Sequence, residues 1–470
     1  MANALVWLRR DLRLNDNPAL AQAISDGYRP LLVYIHDENE AGEWAPGAAS
    51  KVWLHHSLLS LQQNIAERGG RLLLAKGNSQ QELHRLQLET QAEALYFSNL
   101  YEPALRARDD AVAELFDQRG LAVYRSNSGL LFEPWQIQTG GGTPYKVFTP
   151  FWRNASAQLA LRNVFSCPET LPDWPTLESL SVEQLNLLPA KPWHSQFWEY
   201  WQPGEAGAEE MLEIFCDGAV NGYREQRNLP DRTGTSKLSP HLHFGEISPH
   251  QIWRRIAALP GDESLAGDLT HFRSELGWRE FSAHLLHHFP QSGNENLNPN
   301  FRYFQWQTPD PELLQRWQKG RTGIPIVDAG MRELWHTGWM HNRVRMIVAS
   351  FLCKNLRYHW LHGARWFWDT LLDADLANNS QGWQWTAGTG CDAAPYFRIF
   401  NPVTQAERFD ASARYIKKWV PELTGMPVPH VFAPWQKPDI LKLHAPDYPV
   451  RPMVDLSISR QLALEAYSRR

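Results

Sequence analysis

ALVWL at residues 4–8 is the first of five short apolar runs that decide the fold. The other four runs are Leu31–Ile35, Arg71–Ala75, Ala94–Phe97 and Leu121–Arg125. Longer amphipathic stretches separate the runs, among them Trp53–Arg68 and Ala104–Gln118, each followed by glycine. Because neighbouring parallel strands need helical crossovers, this alternation predicts an α/β domain with a Rossmann-like parallel sheet.

The turn after the first strand carries WLRRD at residues 7–11, where a dinucleotide-binding sheet has G-x-G-x-x-G. Without these glycines the backbone lacks the tight turn that cradles a pyrophosphate. The usual crevice of the sheet is therefore not expected to bind a dinucleotide.

The chain changes character after the predicted sheet. Residues 140–203 are rich in Pro, Trp, Ser and Asn with little periodicity, which is typical of a connection between domains. Helical periods then recur at Ala208–Val220, Ile252–Ala258, Asp268–His288, Pro311–Lys319, Ile326–His336, Met340–Tyr358, Ala364–Leu372 and Ser457–Ser468. We therefore expect an α/β domain at residues 1–135, a connection at 136–203 and an all-α domain at 204–470.

The composition limits the class of protein. Of the 470 residues, 43% are hydrophobic and 21% are charged, as in a globular protein with a sizeable core. The net charge of −5 excludes binding of nucleic acid by overall positive charge and leaves only a local basic surface. The N-terminus lacks a signal peptide pattern, no apolar stretch approaches about 20 residues, and the four cysteines form no C-x-x-C pair. These features predict a cytoplasmic protein with no membrane span.

Residues 338–368 are the candidate for the basic surface. They contain five Arg or Lys residues and no Asp or Glu, interleaved with Trp339, Trp360, Trp366 and Trp368. Cations beside indole rings are expected where nucleic acid with an unstacked base is bound. A solvated helix face with buried Trp anchors has a similar composition, so both interpretations stay open.

Three polar groupings in the helical part could hold a ligand. TSKLSP at residues 235–240 suits a phosphate at a helix start, although an ordinary capped helix has the same pattern. Glu275 lies one helical turn from Trp278 and Arg279, so an ion pair between Glu275 and Arg279 is one interpretation. Asn342 and Met346 share a helix face that either meets a planar heteroaromatic ligand or packs in the core.

Motifs for metal binding and hydrolysis are weak in this sequence. His284, His287 and His288 have helical spacing, but no Glu occupies the H-E-x-x-H position. Asp373 and Asp375 lack the glycine and the closing Glu of a calcium loop, and neither a P-loop nor G-x-S-x-G occurs. We therefore expect no metal.

Several motifs together resemble the photolyase/cryptochrome flavoprotein family. They are WLRRDLRLNDN at 7–17, TSKLS at 235–239, WREF at 278–281, GIPIVDAGM at 323–331, GWMHNRVRM at 338–346, WQW at 383–385 and FNP at 400–402. They occur in the family's order and span nearly the whole chain. The resemblance implies a monomer with an antenna-binding α/β domain and a helical domain that holds FAD in a folded U shape.

The resemblance also implies how FAD would be held. Arg345 would pair with Asp373 beside the flavin, and Asn379 would face flavin N5. An amide cannot hand N5 a proton as a carboxylic acid can, so Asn379 favours the reduced anion needed for repair. The implied cofactor set is Tyr223, Thr235, Ser236, Lys237, Leu238, Ser239, Phe272, Glu275, Arg279, Asn342, Arg345, Asp373, Asp375 and Asn379.

The substrate implied by the resemblance is damaged DNA. The (6-4) photolyases have histidines at the positions of Asn342 and Met346, neither of which transfers a proton, so the cyclobutane pyrimidine dimer is the expected lesion. Glu275 would hydrogen-bond the dimer, and Trp278 and Trp385 would stack around it after it is flipped from the duplex. The implied catalytic residues are Glu275, Asn342, Met346 and Asn379, and the further DNA contacts are Arg227, Arg343 and Gln405.

Trp306, Trp360 and Trp383 match the electron-transfer chain of the family. By resemblance they would carry an electron from the surface at Trp306 to photoexcited oxidised flavin. The implied activity is light-driven repair, in which excited reduced FAD donates an electron to the dimer and later recovers it. The alternative is a cryptochrome-like blue-light photoreceptor that signals through a protein partner.

The N-terminal domain bears on a second, antenna chromophore. YEPAL at residues 101–105 replaces the Asn-Glu pair by which enterobacterial folate-binding photolyases resemble one another. AASKVWLHHS at residues 48–57 looks more like the bacterial class III photolyases, which bind methenyltetrahydrofolate differently. The resemblance therefore favours methenyltetrahydrofolate over a deazaflavin.

Overall fold

A computed structural model describes residues 1–174, 176–261 and 263–469. Its N-terminal part is a five-stranded parallel sheet in the order β3-β2-β1-β4-β5. The strands are β1 Asn3–Leu8, β2 Arg29–His36, β3 Leu73–Lys76, β4 Ala94–Ser98 and β5 Ala122–Ser126, and the helices between them are α1 Pro18–Ser25, α2 Ala48–Ala66, α3 Ser79–Thr90 and α4 Pro103–Asp117. The predicted Rossmann-like sheet is confirmed.

The strand order reverses between β1 and β4, where sheets of this type usually bind a ligand. The side chain of Arg9 occupies the space between the ends of β1 and β4. Its guanidinium donates to Asp109 at 2.9 Å and also donates to the carbonyl of Ser98. The remaining cavity is about 60 Å³, far below the size of a cofactor site. The crevice is therefore closed by ion pairs that follow the first strand, in place of a glycine turn.

The rest of the chain is helical. Its helices are α5 Phe148–Ala157, α6 Glu205–Ile214, α7 Tyr223–Gln226, α8 Ser239–Phe244, α9 Pro249–Ala257, α10 Glu263–His288, α11 Pro311–Gln318, α12 Pro325–Thr337, α13 Asn342–Ser350, α14 Trp360–Thr370, α15 Leu376–Ala387, α16 Pro402–Phe409, α17 Arg414–Trp419, α18 Pro438–His444 and α19 Leu456–Ser468. Short 3₁₀ helices lie at Gly42–Trp44, Glu183–Leu185, Ser195–Glu199, Pro290–Gly293, Pro299–Phe301, Pro421–Leu423, His430–Phe432 and Pro434–Gln436. The predicted all-α second part is confirmed.

Three local features differ from what the sequence pattern indicates. The connection contains a helix, α5, which buries Phe151 and Ala155 and so belongs to the packed body. Met340–Tyr358 is not one helix, because α13 ends in a π-helical turn at Phe351–Asn355 before α14 begins. Helix α15 was not predicted at all, since LANNSQGWQWTA has no apolar period, and its start depends on Asp375 accepting from the amide of Asn378.

Trp53 of α2 joins the sheet to the helical part. Its ring stacks on that of Phe244 with the ring centres 6.1 Å apart, and it meets the ring of Trp201 edge-on with the ring centres 5.9 Å apart. The Nε1 atom of Trp53 donates a hydrogen bond to Oε1 of Glu246 at 3.0 Å. A large buried aromatic side chain whose polar atom is hydrogen-bonded stabilises such a contact.

No helix among the described residues is long and apolar enough to span a bilayer.

Candidate functional site

A cavity of about 600 Å³ opens in the helical part, between α7, α8, α10, α13 and α15. This volume is within the usual range for cofactor and ligand sites. The predicted site residues that line it are Tyr223, Arg227, Thr235, Ser236, Lys237, Leu238, Ser239, Phe272, Glu275, Trp278, Arg279, Asn342, Arg343, Arg345, Met346, Asp373, Asp375, Asn379, Trp383 and Trp385. Trp306, Trp360 and Gln405 do not line it; Gln405 lies on α16 with its side chain partly exposed.

The segment before α8 supplies hydroxyls and an ammonium to one end of the cavity. Lys237 has a φ of +53°, a left-handed conformation that is costly for a residue with a side chain and is often found at functional sites. Burial lowers the pKa of Lys237, because an environment that excludes water disfavours the charged ammonium. Trp339 donates its Nε1 to Ser239 at 3.3 Å and so ties this end to the segment before α13. The set suits a phosphate.

Arg345 and Asp373 form the predicted ion pair at the wall of the cavity. Arg345 Nη2 donates to Asp373 Oδ2 at 2.8 Å, and Arg345 Nε donates to the carbonyl of Met340 at 2.7 Å. Asp373 Oδ1 is buried and has no hydrogen-bond partner among the described residues. A buried acceptor of this kind needs a donor, because leaving it unpaired costs about 1–3 kcal/mol. A bound heterocycle with N–H groups would satisfy it, so these residues fit a flavin.

Helix α15 brings Asn379 to the same wall. Its Nδ2 donates to the carbonyl of Ala364 at 2.9 Å, which leaves Oδ1 as the atom available to a ligand. At the start of the helix, Asp375 lies 3.9 Å from Nδ1 of the buried His243, and despite the opposing effect of burial, His243 and Arg10 lower the pKa of Asp375. His243 was missed by the sequence analysis because no motif marks it.

Glu275 of α10 also lines the cavity. It forms an ion pair with Arg227, whose Nη2 lies 2.6 Å from Glu275 Oε2. Burial raises the pKa of Glu275, and Arg227 opposes this rise. The pairing of Glu275 with Arg279 is wrong, because Arg279 instead donates to the carbonyl of Gly129 at 2.5 Å, in the segment after the sheet.

Aromatic side chains shape the mouth of the cavity. Phe148 of α5 stacks on Trp278 with the ring centroids 3.8 Å apart and nearly parallel. Such a partner holds Trp278 in one orientation, which the sequence analysis could not foresee. Met346 is partly exposed, with its Sδ 3.8 Å from Nη1 of Arg343, so it lines the cavity and is not a core residue.

Arginines from separate elements gather at the rim. Arg343 donates to Asn228 Oδ1 at 2.6 Å, and its guanidinium lies 4.4 Å from the ring centre of Phe409. Burial lowers the pKa of Arg343, and Arg227, Arg408 and Arg398 lower it further through repulsion. Clustered cations of this kind favour an anionic partner such as a phosphate backbone.

The expected basic surface at residues 338–368 is only partly present. Lys354 is buried, donates to the carbonyl of Arg398 at 3.0 Å, and has its pKa lowered to about 8 by burial. Arg365 pairs with Glu43 at 3.1 Å, and Arg345 is held by Asp373. The sequence window overestimates the positive charge on the surface, because these cations lie on different faces of their helices and three of them have partners within the protein.

The three tryptophans of the predicted chain lie in one hydrophobic cluster or against it. Trp383 is buried at the cavity wall, where a methyl group at Gly363 of α14 would overlap its ring. Trp360 is fully buried and donates its Nε1 to Asn296 at 2.8 Å, and Trp306 is partly exposed. Of the three, only Trp383 lines the cavity, and Trp306 is the most exposed.

Glu333 and His341 lie behind the cavity and were missed by the sequence analysis. Glu333 is buried, accepts from Tyr415 Oη at 2.6 Å and from the amide of His341 at 3.1 Å, and burial raises its pKa to about 7. His341 caps α13 by accepting from the amide of Arg343 at 3.2 Å. Only its place within GWMHNRVRM could have marked His341.

Comparison with known proteins agrees with this geometry. Residues 4–174 match the family model of DNA photolyase, and residues 272–469 match the model of the FAD binding domain of DNA photolyase. The deoxyribodipyrimidine photo-lyase of Agrobacterium fabrum is 44% identical over 476 residues, which is 99% of this chain and 98% of that protein. The crystal structure of a class III photolyase from Agrobacterium tumefaciens superposes with a TM-score of 0.95 at 43% identity, covering 100% of this chain and 98% of the other.

Cryptochromes are also similar to this chain. Cryptochrome-2 of Arabidopsis thaliana is 36% identical over 487 residues, which is 99% of this chain and 78% of that protein. Both kinds of relative therefore share the whole fold described above. The chain belongs to the DNA photolyase and cryptochrome family, and the predictions of this family, of a photolyase enzyme and of an FAD-binding domain are confirmed.

Proposed function

We propose that the chain repairs cyclobutane pyrimidine dimers in DNA with blue light. One observation carries the proposal: a single cavity is lined by the Arg345–Asp373 pair, by Asn379 and by the Arg227–Glu275 pair. The first pair and Asn379 fit a flavin, and the second pair fits a hydrogen-bonding base edge. Substrate and cofactor would therefore meet within one site.

FAD, when bound, would supply the light-driven electron that splits the dimer. Thr235, Ser236, Lys237 and Ser239 would hold its phosphates through hydroxyl and ammonium donors. Asp373 Oδ1 would accept from the ring system, and Asn379 Oδ1 would accept an N–H without giving a proton. In the same set, Tyr223, Leu238, Phe272, Arg279 and Asp375 would complete the cofactor contacts.

The lesion would be held in the same cavity. Glu275 and Asn342 would hydrogen-bond the flipped bases, and Trp278 and Trp385 would stack on them. Asn342 and Met346 have no acid–base function, which supports a dimer whose reversal needs no general acid. Arg227, Arg343 and Gln405 would contact the phosphate backbone. Flipping costs a few kcal/mol and is cheaper for a damaged base, which explains selectivity without base-specific readout.

We infer that the chain consists of domains at residues 1–135 and 204–470, joined by residues 136–203. We also infer that the protein is a monomer and that it is located in the cytoplasm. We also infer an antenna of methenyltetrahydrofolate rather than a deazaflavin.

The test is repair of defined lesions by the purified, chemically reduced protein under blue light. We expect loss of dimers from oligonucleotides that contain one thymine dimer, measured by chromatography, and no loss of (6-4) lesions. A cryptochrome-like photoreceptor, favoured by the similarity to Cryptochrome-2, would reduce its flavin in light but leave both lesions intact. Repair of the (6-4) lesion would contradict the assignment of Asn342 and Met346.

A further inference from the structure

His359 lies between two tryptophans of the proposed electron-transfer chain. Its ring centre is 5.2 Å from that of Trp306, at an interplanar angle of 78°, and 5.5 Å from that of Trp360, at 32°. Both distances are within the range of direct aromatic contact. One imidazole therefore touches both the exposed and the buried indole.

His359 is also fixed at its backbone. It is the N-cap of α14, with extended dihedral angles and Nδ1 accepting from the amide of Leu361 at 3.3 Å. Because Nδ1 accepts, the ring proton is on Nε2. Asn, Asp, Ser and Thr are the preferred capping residues, so the cap at this position can be kept by an amide that has no ring.

We propose that His359 is a positioning residue that fixes the placement of Trp306 relative to Trp360 and so sets the rate at which an electron passes between them. The inference rests on the proposed function, because it assumes that these two indoles carry the electron. His359 itself contacts neither cavity nor substrate, and it is not a catalytic residue.

In the proposed chain, Trp383 would give one electron to photoexcited oxidised flavin, and Trp360 would restore Trp383. Trp306 would then give one electron to the Trp360 radical cation and become the radical cation itself. An added thiolate would return one electron to Trp306 and become a thiyl radical, and two thiyl radicals would combine to form a disulfide.

The charge state of His359 suits this path. Burial lowers its pKa to about 4, and the neighbouring His362 adds to the effect. The ring is therefore neutral near pH 7. A positive charge that moves from Trp360 to Trp306 meets no fixed cation on the ring between them, which would otherwise repel it.

Two substitutions distinguish the effect of the imidazole ring from the effect of the helix cap. His359→Asn keeps a capping acceptor and removes the ring, and His359→Phe keeps a ring and removes the acceptor. We expect the Asn variant to melt near the wild-type temperature but to photoreduce oxidised FAD severalfold more slowly in the presence of thiol. We expect the Phe variant to photoreduce near the wild-type rate but to melt lower by about 1–2 °C, as for loss of one helix cap in a chain of this length.

His362→Ala is the matched control, since this exposed histidine lies on the same helix. Its photoreduction should equal that of the wild type. Wild-type photoreduction in the Asn variant, or equal slowing in the Asn and Phe variants, would overturn the role of His359.

Trp306→Phe separates this inference from the proposed chain. If Trp306→Phe stops photoreduction and His359→Asn does not slow it, the chain stands and the inference fails. If Trp306→Phe has no effect, both fail. Repair by chemically reduced His359→Asn protein should remain at the wild-type rate, because repair does not use this path.

Discussion

Arg227 neutralises Glu275 across the mouth of the cavity, with 2.6 Å between Nη2 and Oε2. Burial raises the pKa of Glu275, and the charge of Arg227 opposes that rise. The pair also occupies a guanidinium that would otherwise be free to bind phosphate. The two residues are therefore coupled, and a change in one should alter both lesion recognition and general DNA affinity.

Glu275→Gln tests this coupling. The variant should bind dimer-containing DNA about tenfold more weakly, or about 1.4 kcal/mol, because a charged acceptor for the lesion is lost. It should bind undamaged DNA more tightly, since Arg227 is released. Fluorescence anisotropy with matched duplexes measures both effects, and Glu225→Gln, an exposed neighbour on α7, is the control. A parallel fall in both affinities would contradict the coupling.

Arg343→Ala tests whether the arginines at the rim of the cavity contact the DNA backbone. The dependence of DNA affinity on salt should become shallower by about one phosphate contact, a change of roughly 0.9 in the logarithmic slope. Arg365→Ala is the control: this arginine comes from the same sequence window but pairs with Glu43. Titrations at several salt concentrations give both slopes. Equal slopes for Arg343→Ala and the wild type would remove Arg343 from the backbone contacts.

Asn379→Asp tests the amide at the flavin wall. An ionised Asp cannot donate to the carbonyl of Ala364, so we expect the new carboxyl to bind a proton at higher pH than usual. A protonated carboxyl could pass that proton to the flavin, and the reduced state should be lost faster. The measurement is recovery of oxidised-flavin absorbance in air after photoreduction. Recovery of the oxidised flavin at the wild-type rate or more slowly would contradict this role of Asn379.

Glu333→Gln tests the buried carboxyl behind the cavity. Burial raises the folded-state pKa to about 7 from 4.5, so the native protein holds this proton more tightly than the unfolded chain does. The contribution of Glu333 to stability therefore falls as the pH rises from about 4.5 to about 7, by a total on the order of 3 kcal/mol. Relative to the wild type, the Gln variant should gain melting temperature at pH 8 and little at pH 5. A constant difference across this range would show that Glu333 does not titrate there.

The sheet could be predicted because parallel strands covered on both faces are apolar runs, as at residues 4–8 and 94–97. Helix α15 could not, because its start depends on one side-chain cap and its buried face includes polar residues such as Ser380 and Gln384. The cavity-lining residues within motifs were predictable by resemblance. Phe148, Glu333 and His359 were not, since their contacts join segments that are distant in sequence or depend on ring placement.

The π-helical turn at Phe351–Asn355 has a consequence for how this site could change through evolution. It interrupts the path between α13, which carries Asn342 and Met346 of the proposed lesion site, and α14, which begins with Trp360. A rigid continuous helix would transmit any shift of its first half to its second half. With the turn between them, we expect mutations on the proposed lesion side to disturb the position of Trp360 little, so that lesion specificity and photoreduction could change separately.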